Sequence, residues 1–228
     1  MASWLRRSLV DVVPRDQRES PTAWRRRRLV TVGVLVVGGV VLGWSLRLPP
    51  GDDLFYAGTA ALAAVWAVGA VLSGPLHLGR IAMEDRLARP IITPLVLGLG
   101  LAAVFVVGAL VVRQLPWLAE QVARVMEHAD LASLPLVVVI TAVNGIAEEL
   151  FFRGALYAAI PRHPVVWTSA AYTVVTLATG NVMLGFASVL LGVLCGLQRR
   201  ASGGVLAPVL THVSWSLAML LALPPLFG

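Results

Sequence analysis

The chain has 228 residues, 58% hydrophobic and 13% charged, with a mean hydropathy of +0.83. That balance excludes a disordered chain, which needs low hydrophobicity and high charge, and departs from a soluble globule, where about a quarter of residues are charged; one cysteine, Cys195, excludes a disulfide scaffold. The net charge of +6 is carried by arginine with no lysine, and arginines flanking apolar runs fit anionic lipid and exclude a nucleic-acid partner.

In chain order, residues 1–28 form a basic leader. Trp4, Leu5, Ser8, Leu9 and Val12 share one face of a short interfacial helix that Pro14 stops. Arg25–Arg28 lead into the first apolar run, with no small-residue cleavage site at its end, so the run reads as a retained anchor. Seven spans follow, at about Leu29–Leu46, Leu54–Leu72, Ile91–Val112, Leu134–Ile160, Val165–Ala178, Val182–Leu197 and Val205–Leu223. Between the first two, Pro49-Pro50-Gly51-Asp52-Asp53 is a turn. Residues 75–90 form a polar connection with Arg80, Glu84, Asp85, Arg86 and Arg89. Residues 113–133 are amphipathic, with Trp117, Leu118, Val122, Val125 and Met126 set against Glu120, Arg124, Glu127 and Asp130, and read as a surface helix. Gly38-Gly39, Gly98 with Gly100, and Gly185 with Gly192 read as close-packing positions between helices. The expected fold is all-α, a polytopic transmembrane helical bundle of about seven spans. It divides into the leader at 1–28, N-terminal membrane helices and an amphipathic connection at 29–133, and a C-terminal bundle at 134–223.

Orientation follows from arginine placement. With the N-terminus in the cytoplasm, that side holds Arg6, Arg7, Arg15, Arg18, Arg25–Arg28, Arg80, Arg86, Arg89, Arg162, Arg199 and Arg200. The other side holds Arg47, Arg113 and Arg124 beside five acids. The expected location is the plasma membrane of a bacterium.

The fourth span carries charge where lipid belongs. Glu148, Glu149 and Arg153 fall inside it, and each charge at the bilayer centre costs roughly 2.5–3.5 kcal/mol on insertion scales. They must therefore be paired and face protein or water. Glu149 and Arg153 are four apart and share a helix face. Glu148 points about 100° away, one turn after Asn144. One carboxylate is then structural, and the other is available as a general base or ligand. His212 is the one histidine within a span, and Ser216 follows it by one turn, as Thr176 follows Tyr172. Counted along their helices at 1.5 Å per residue, Glu149, Thr176 and His212 reach similar depths. Thr176 and Ser216 are expected to bond back to their own helices, and Cys195 to be an inert buried thiol.

Glu148-Glu149-Leu-Phe-Phe-Arg153-Gly154 resembles the E-E-x-x-x-R motif of the CPBP intramembrane proteases, also called the Abi or CAAX-prenyl-protease family. The run from Gly192 to Gly196, through Arg199-Arg200, to Leu206-Ala-Pro208-Val-Leu-Thr-His212 resembles that family's approach to its last motif histidine, so the likeness covers about residues 130–223. It implies an intramembrane metalloendopeptidase acting on a peptide or membrane-protein substrate, prenylated or membrane-associated, within the lipid bilayer. In that likeness Glu148 activates water, Glu149 and Arg153 hold the site together, and His212 serves water, an oxyanion or a metal. The family's F-x-x-x-H motif aligns with Tyr172-x-x-x-Thr176, so its histidine is replaced. Its H-x-x-x-N/D motif reads His212-x-x-x-Ser216. Zinc usually takes three protein ligands, and Glu148 with His212 supply two; Asn181 is a further polar candidate. The alternative reading is a non-catalytic homologue that binds a peptide, lipid or membrane partner. A proton-coupled carrier ranks last, because the charged fourth span has no counterpart among the first three.

Overall fold

Each of the seven apolar runs becomes a helix. The computed structural model describes residues 3–49, 52–83, 86–130 and 133–227. Pro50 and Gly51 of the first turn and Glu84 and Asp85 of the polar connection lie outside them, as does the side chain of Asp130. The elements are α1 (Ser3–Leu9), α2 (Pro21–Ser45), α3 (Asp53–Ser73), β1 (Ile81–Met83), β2 (Arg86–Ala88), α4 (Ile92–Val112), α5 (Pro116–Asp130) and α6 (Leu134–Glu149). A π-helical stretch (Leu150–Leu156) then runs straight into α7 (Tyr157–Ala159), followed by α8 (Pro164–Leu177), α9 (Val182–Ser202), α10 (Leu206–Ala222) and α11 (Pro224–Phe227).

Among the described residues, five helical runs are long and apolar enough to cross a membrane: α2, α3, α4, the continuous rod Leu134–Ala159, and α9. α8 and α10 are apolar but have 14 and 17 residues, about 21 and 26 Å at 1.5 Å per residue, against a hydrocarbon core of about 30 Å. The outward faces of α2, α4 and α8 are lipid-like: Leu29, Val40, Ile92, Val107 and Val174 are each more than 60% exposed. Together with the apolar lengths, this describes an integral membrane protein built as a polytopic helical bundle.

The first span begins eight residues before Leu29. Ser20 accepts a hydrogen bond from the Ala23 amide and Pro21 sits in the first turn, a strong start signal, so Arg25–Arg28 are helical and not part of a loose leader. α1 ends at Leu9, short of Pro14. The chain after it is fastened to the end of α9: the Val13 amide donates to Ala201 O (3.2 Å), Arg15 to Arg200 O (2.8 Å) and Gln17 to Gly203 O (2.7 Å). Residues 75–90 are also more ordered than a polar connection, since β1 and β2 pair antiparallel with Ile81 opposite Ala88.

The core lies where α3, α6, the π-helical stretch and α8 meet. Trp66 of α3 is fully buried and stacks on Phe151 at 4.6 Å between ring centroids. Phe152 bridges Trp66 and Tyr172 at 5.2 and 4.9 Å. Gly38 permits α2 to lie against α3, because a Cβ there would fall 2.1 Å from the Trp66 ring. Gly98 and Gly185 face neighbouring helices in the same way, whereas Gly100 faces open space.

Candidate functional site

The fourth span changes its winding next to its charges. From Phe151 to Leu156 all six residues are buried, so this segment is enclosed on every side and no lipid-facing stripe exists. The Tyr157 amide donates to Phe152 O, five residues back, the signature of a π turn. Glu149 and Arg153 remain on one face: Arg153 Nη1 donates to Glu149 Oε1 at 2.8 Å, with both side chains fully buried. The other guanidinium edge is also held, with Nη2 donating to Gly192 O at 3.1 Å and the Tyr172 ring 4.9 Å from the guanidinium carbon. The Arg153 carbonyl accepts from Arg199 Nε at 2.7 Å.

His212 descends from α10 into the same cluster. Its Nδ1 lies 2.8 Å from Glu149 Oε1, so with an ionised carboxylate Nδ1 is the donor. Nε2 is then turned to Glu148, whose Oε2 is 4.0 Å away. That gap is too long for a direct hydrogen bond and suits one bridging water. Gly145 faces the imidazole edge, where a Cβ would sit 3.5 Å from Cδ2. The Tyr172 phenol completes the group beside Glu148. Glu148 keeps 16% side-chain exposure while Glu149 has none.

Five of the residues singled out by sequence therefore meet, namely Glu148, Glu149, Arg153, Tyr172 and His212. The others do not. Asn144 shares a face with Glu148 by spacing, yet its amide nitrogen donates to Ile140 O at 3.0 Å and it makes no bond to Glu148. Thr176 bonds back to Tyr172 O at 2.9 Å. Asn181 caps α9 through the Met183 and Leu184 amides, both at 3.0 Å, and donates to Gln121 O at 2.6 Å, so its polar groups are committed away from the cluster. Ser216 lines an apolar cavity of about 480 Å³ beneath α5, beside Trp215. Cys195 is buried and its thiol faces Pro208 O at 3.7 Å.

Sequence reasoning placed Glu149 and His212 at similar depth without pairing them, and so missed the Glu149–His212 bond. It also missed Arg199 as a strut and the relay Gln198–Thr211–Pro94. In that relay Gln198 Nε2 donates to Thr211 Oγ1 at 2.7 Å, and Thr211 donates to Pro94 O at 2.9 Å. The relay joins α9, α10 and α4 and sets the register of α10 one residue before His212. A polar Gln-to-Thr pair inside apolar helices was the available signal.

The donor set does not fit zinc. His212 Nδ1 is committed to Glu149, the Thr176 hydroxyl is committed to its own helix, and the described residues contain no group of three or more His, Cys, Asp or Glu able to hold a metal. Residues 130–218, which contain every member of the cluster, match the Rce1-like family of type II CAAX prenyl endopeptidases. No curated protein and no solved structure matches the chain.

Proposed function

We propose that the protein is an intramembrane endopeptidase, because residues 130–218 match the Rce1-like family of type II CAAX prenyl endopeptidases. Its substrates would be membrane-associated or prenylated peptides. The observation that carries this reading is the arrangement of His212 between two carboxylates, Nδ1 on Glu149 at 2.8 Å and Nε2 facing Glu148 at 4.0 Å.

One carboxylate orients the ring and the other faces the reacting atoms, a division of labour shared with acid–histidine hydrolases. A water between Glu148 and His212 donates one hydrogen to each. Glu148 takes the proton as the water oxygen attacks the scissile carbonyl carbon. The Tyr172 hydroxyl stands beside Glu148 as a donor for the oxyanion. Glu148 returns the proton to the amide nitrogen as the C–N bond breaks, leaving a carboxylic acid and an amine, between which the remaining acid proton then passes to give carboxylate and ammonium. Arg153 balances Glu149 and ties it to α9 through Gly192 O. On this reading the arginine-rich end faces the cytoplasm of a bacterial cell, as the bias of arginine between the two ends suggests; labelling of Arg25→Cys by an impermeant maleimide from outside intact cells would contradict this.

The test is a library of prenylated and unmodified membrane-associated peptides, incubated with purified protein in detergent and read by mass spectrometry. Cleavage by the wild type and its loss in Glu148→Gln is the expected result; equal product from both overturns the reading. Thr176 favours a second reading, in which the same pocket binds without cutting, because its hydroxyl is spent on Tyr172 O. Peptide retained intact by the wild type, with hydrolysis gained in Thr176→His, would select that alternative.

A further inference from the structure

At the arginine-rich end of the bundle, the leader, the hairpin loop and the end of α9 enclose a second cavity of about 470 Å³. Arg15, His77, Arg80 and Arg89 line it together with Leu78 and Leu87, and no acidic side chain among the described residues does. Arg15 Nη1 donates to Arg200 O at 2.8 Å and Arg89 Nη1 to Gly79 O at 2.7 Å. Each contact uses one of five guanidinium N–H groups, so the arginines are anchored with donors to spare. Behind the Gln17 wall stands Arg199, only 4% exposed. Its Nη2 reaches Gln17 Oε1 at 3.4 Å, and its Nη1 has no hydrogen-bond partner among the described residues. The three described acids within two residues of the leader wall are committed elsewhere: Asp11 to Arg6, Asp16 to the Arg18 amide, and Glu19 to Arg27.

We propose that this cavity binds a phosphoryl anion, the headgroup phosphate of an anionic phospholipid. Three guanidinium groups lining one cavity from different segments suit a tetrahedral dianion or monoanion better than a planar carboxylate, which one arginine fork satisfies. A buried guanidinium without an acid beside it is costly, and a bound anion offsets that cost. The depth selects lipid as the source. α3 ends at Ser73 and α9 at Ser202, and Ser202 itself lines the cavity, so the arginines stand at headgroup level. Leu78 and Leu87 are 52% and 43% exposed on the same wall, apolar surface on which the start of an acyl chain can lie.

The test uses the full chain purified in a neutral detergent, with binding read by native mass spectrometry and by thermal unfolding. Phosphatidylglycerol, phosphatidylcholine and inorganic phosphate are the three probes. The wild type should bind one phosphatidylglycerol in preference to phosphatidylcholine. Arg80→Gln/Arg89→Gln should weaken that binding about tenfold or more, from the loss of roughly one favourable contact per arginine. Arg25→Gln/Arg26→Gln removes the same charge from exposed positions outside the cavity and should leave binding unchanged. Equal weakening by both double variants, or none by either, overturns the site. Stabilisation by inorganic phosphate without phosphatidylglycerol binding overturns the lipid assignment. Both variants keep the carboxylate cluster, so the outcome is independent of whether the protein cuts peptides.

Discussion

Glu148 and Glu149 are adjacent in sequence and do different work, because the helix turns them about 100° apart and the surroundings differ. Glu149 is closed off and bonded to Arg153 and His212, whereas Glu148 retains contact with solvent. Replacing each therefore separates stability from catalysis. Glu149→Ala strands a buried guanidinium and should lower stability by about 3–5 kcal/mol, seen as a large drop in Tm in detergent. Glu148→Gln should leave Tm near wild type and reduce peptide turnover by about 10²–10⁴. Tyr172→Phe keeps the ring against Arg153 and Phe152 and removes only the hydroxyl. It should lower kcat by roughly 10²-fold with little change in KM. The Glu149–Arg153 pairing was legible from a spacing of four. The His212–Glu149 bond was not, because it joins residues 63 apart through the packing of α10 on α6.

Among the elements, the helices were readable and their local exceptions were not. Long apolar runs name spans directly, and the observed helices α3, α4 and α6 begin within a residue or two of the apolar runs. The π-helical stretch has no composition signal; it arises where six consecutive residues are enclosed by other helices. The hairpin at Ile81–Ala88 is equally hidden, since two three-residue strands carry too little alternation to register as a period. Glycine spacing marked the helix contacts, but which glycine counts depends on the neighbour. Gly33 and Gly38 lie on the same helix, one facing open space and the other the Trp66 ring. Gly38→Leu should therefore destabilise the protein by about 1–3 kcal/mol through overpacking, while Gly33→Leu should leave stability within about 0.5 kcal/mol of wild type, both read from thermal unfolding.

In the whole molecule, the leader and the loops tie one end of the bundle together, and charge accumulates there. Burial and the nearby Arg199 and Arg27 guanidiniums hold the His77 imidazole below its ordinary value, against a smaller opposing pull from Glu19. The neutral ring is thus favoured in the folded protein. As pH falls through about 6.5, the unfolded chain takes up this proton first, so folding stability should decline toward the lower folded value and then level off. His77→Gln should show a smaller fall in Tm between neutral and mildly acidic buffer, and an equal fall would show that other groups carry the effect. At the opposite extreme of enclosure, the carboxylate cluster sits where α6, α8, α9 and α10 meet, and the proposed activity requires that cluster to break a peptide bond instead of only holding a ligand. A photoreactive farnesylated peptide offered to wild type and Glu148→Gln in proteoliposomes measures both properties on one sample. Equal cross-linking to the two proteins, with cleaved product from the wild type alone, is the predicted result; equal cross-linking with no product from either would contradict it.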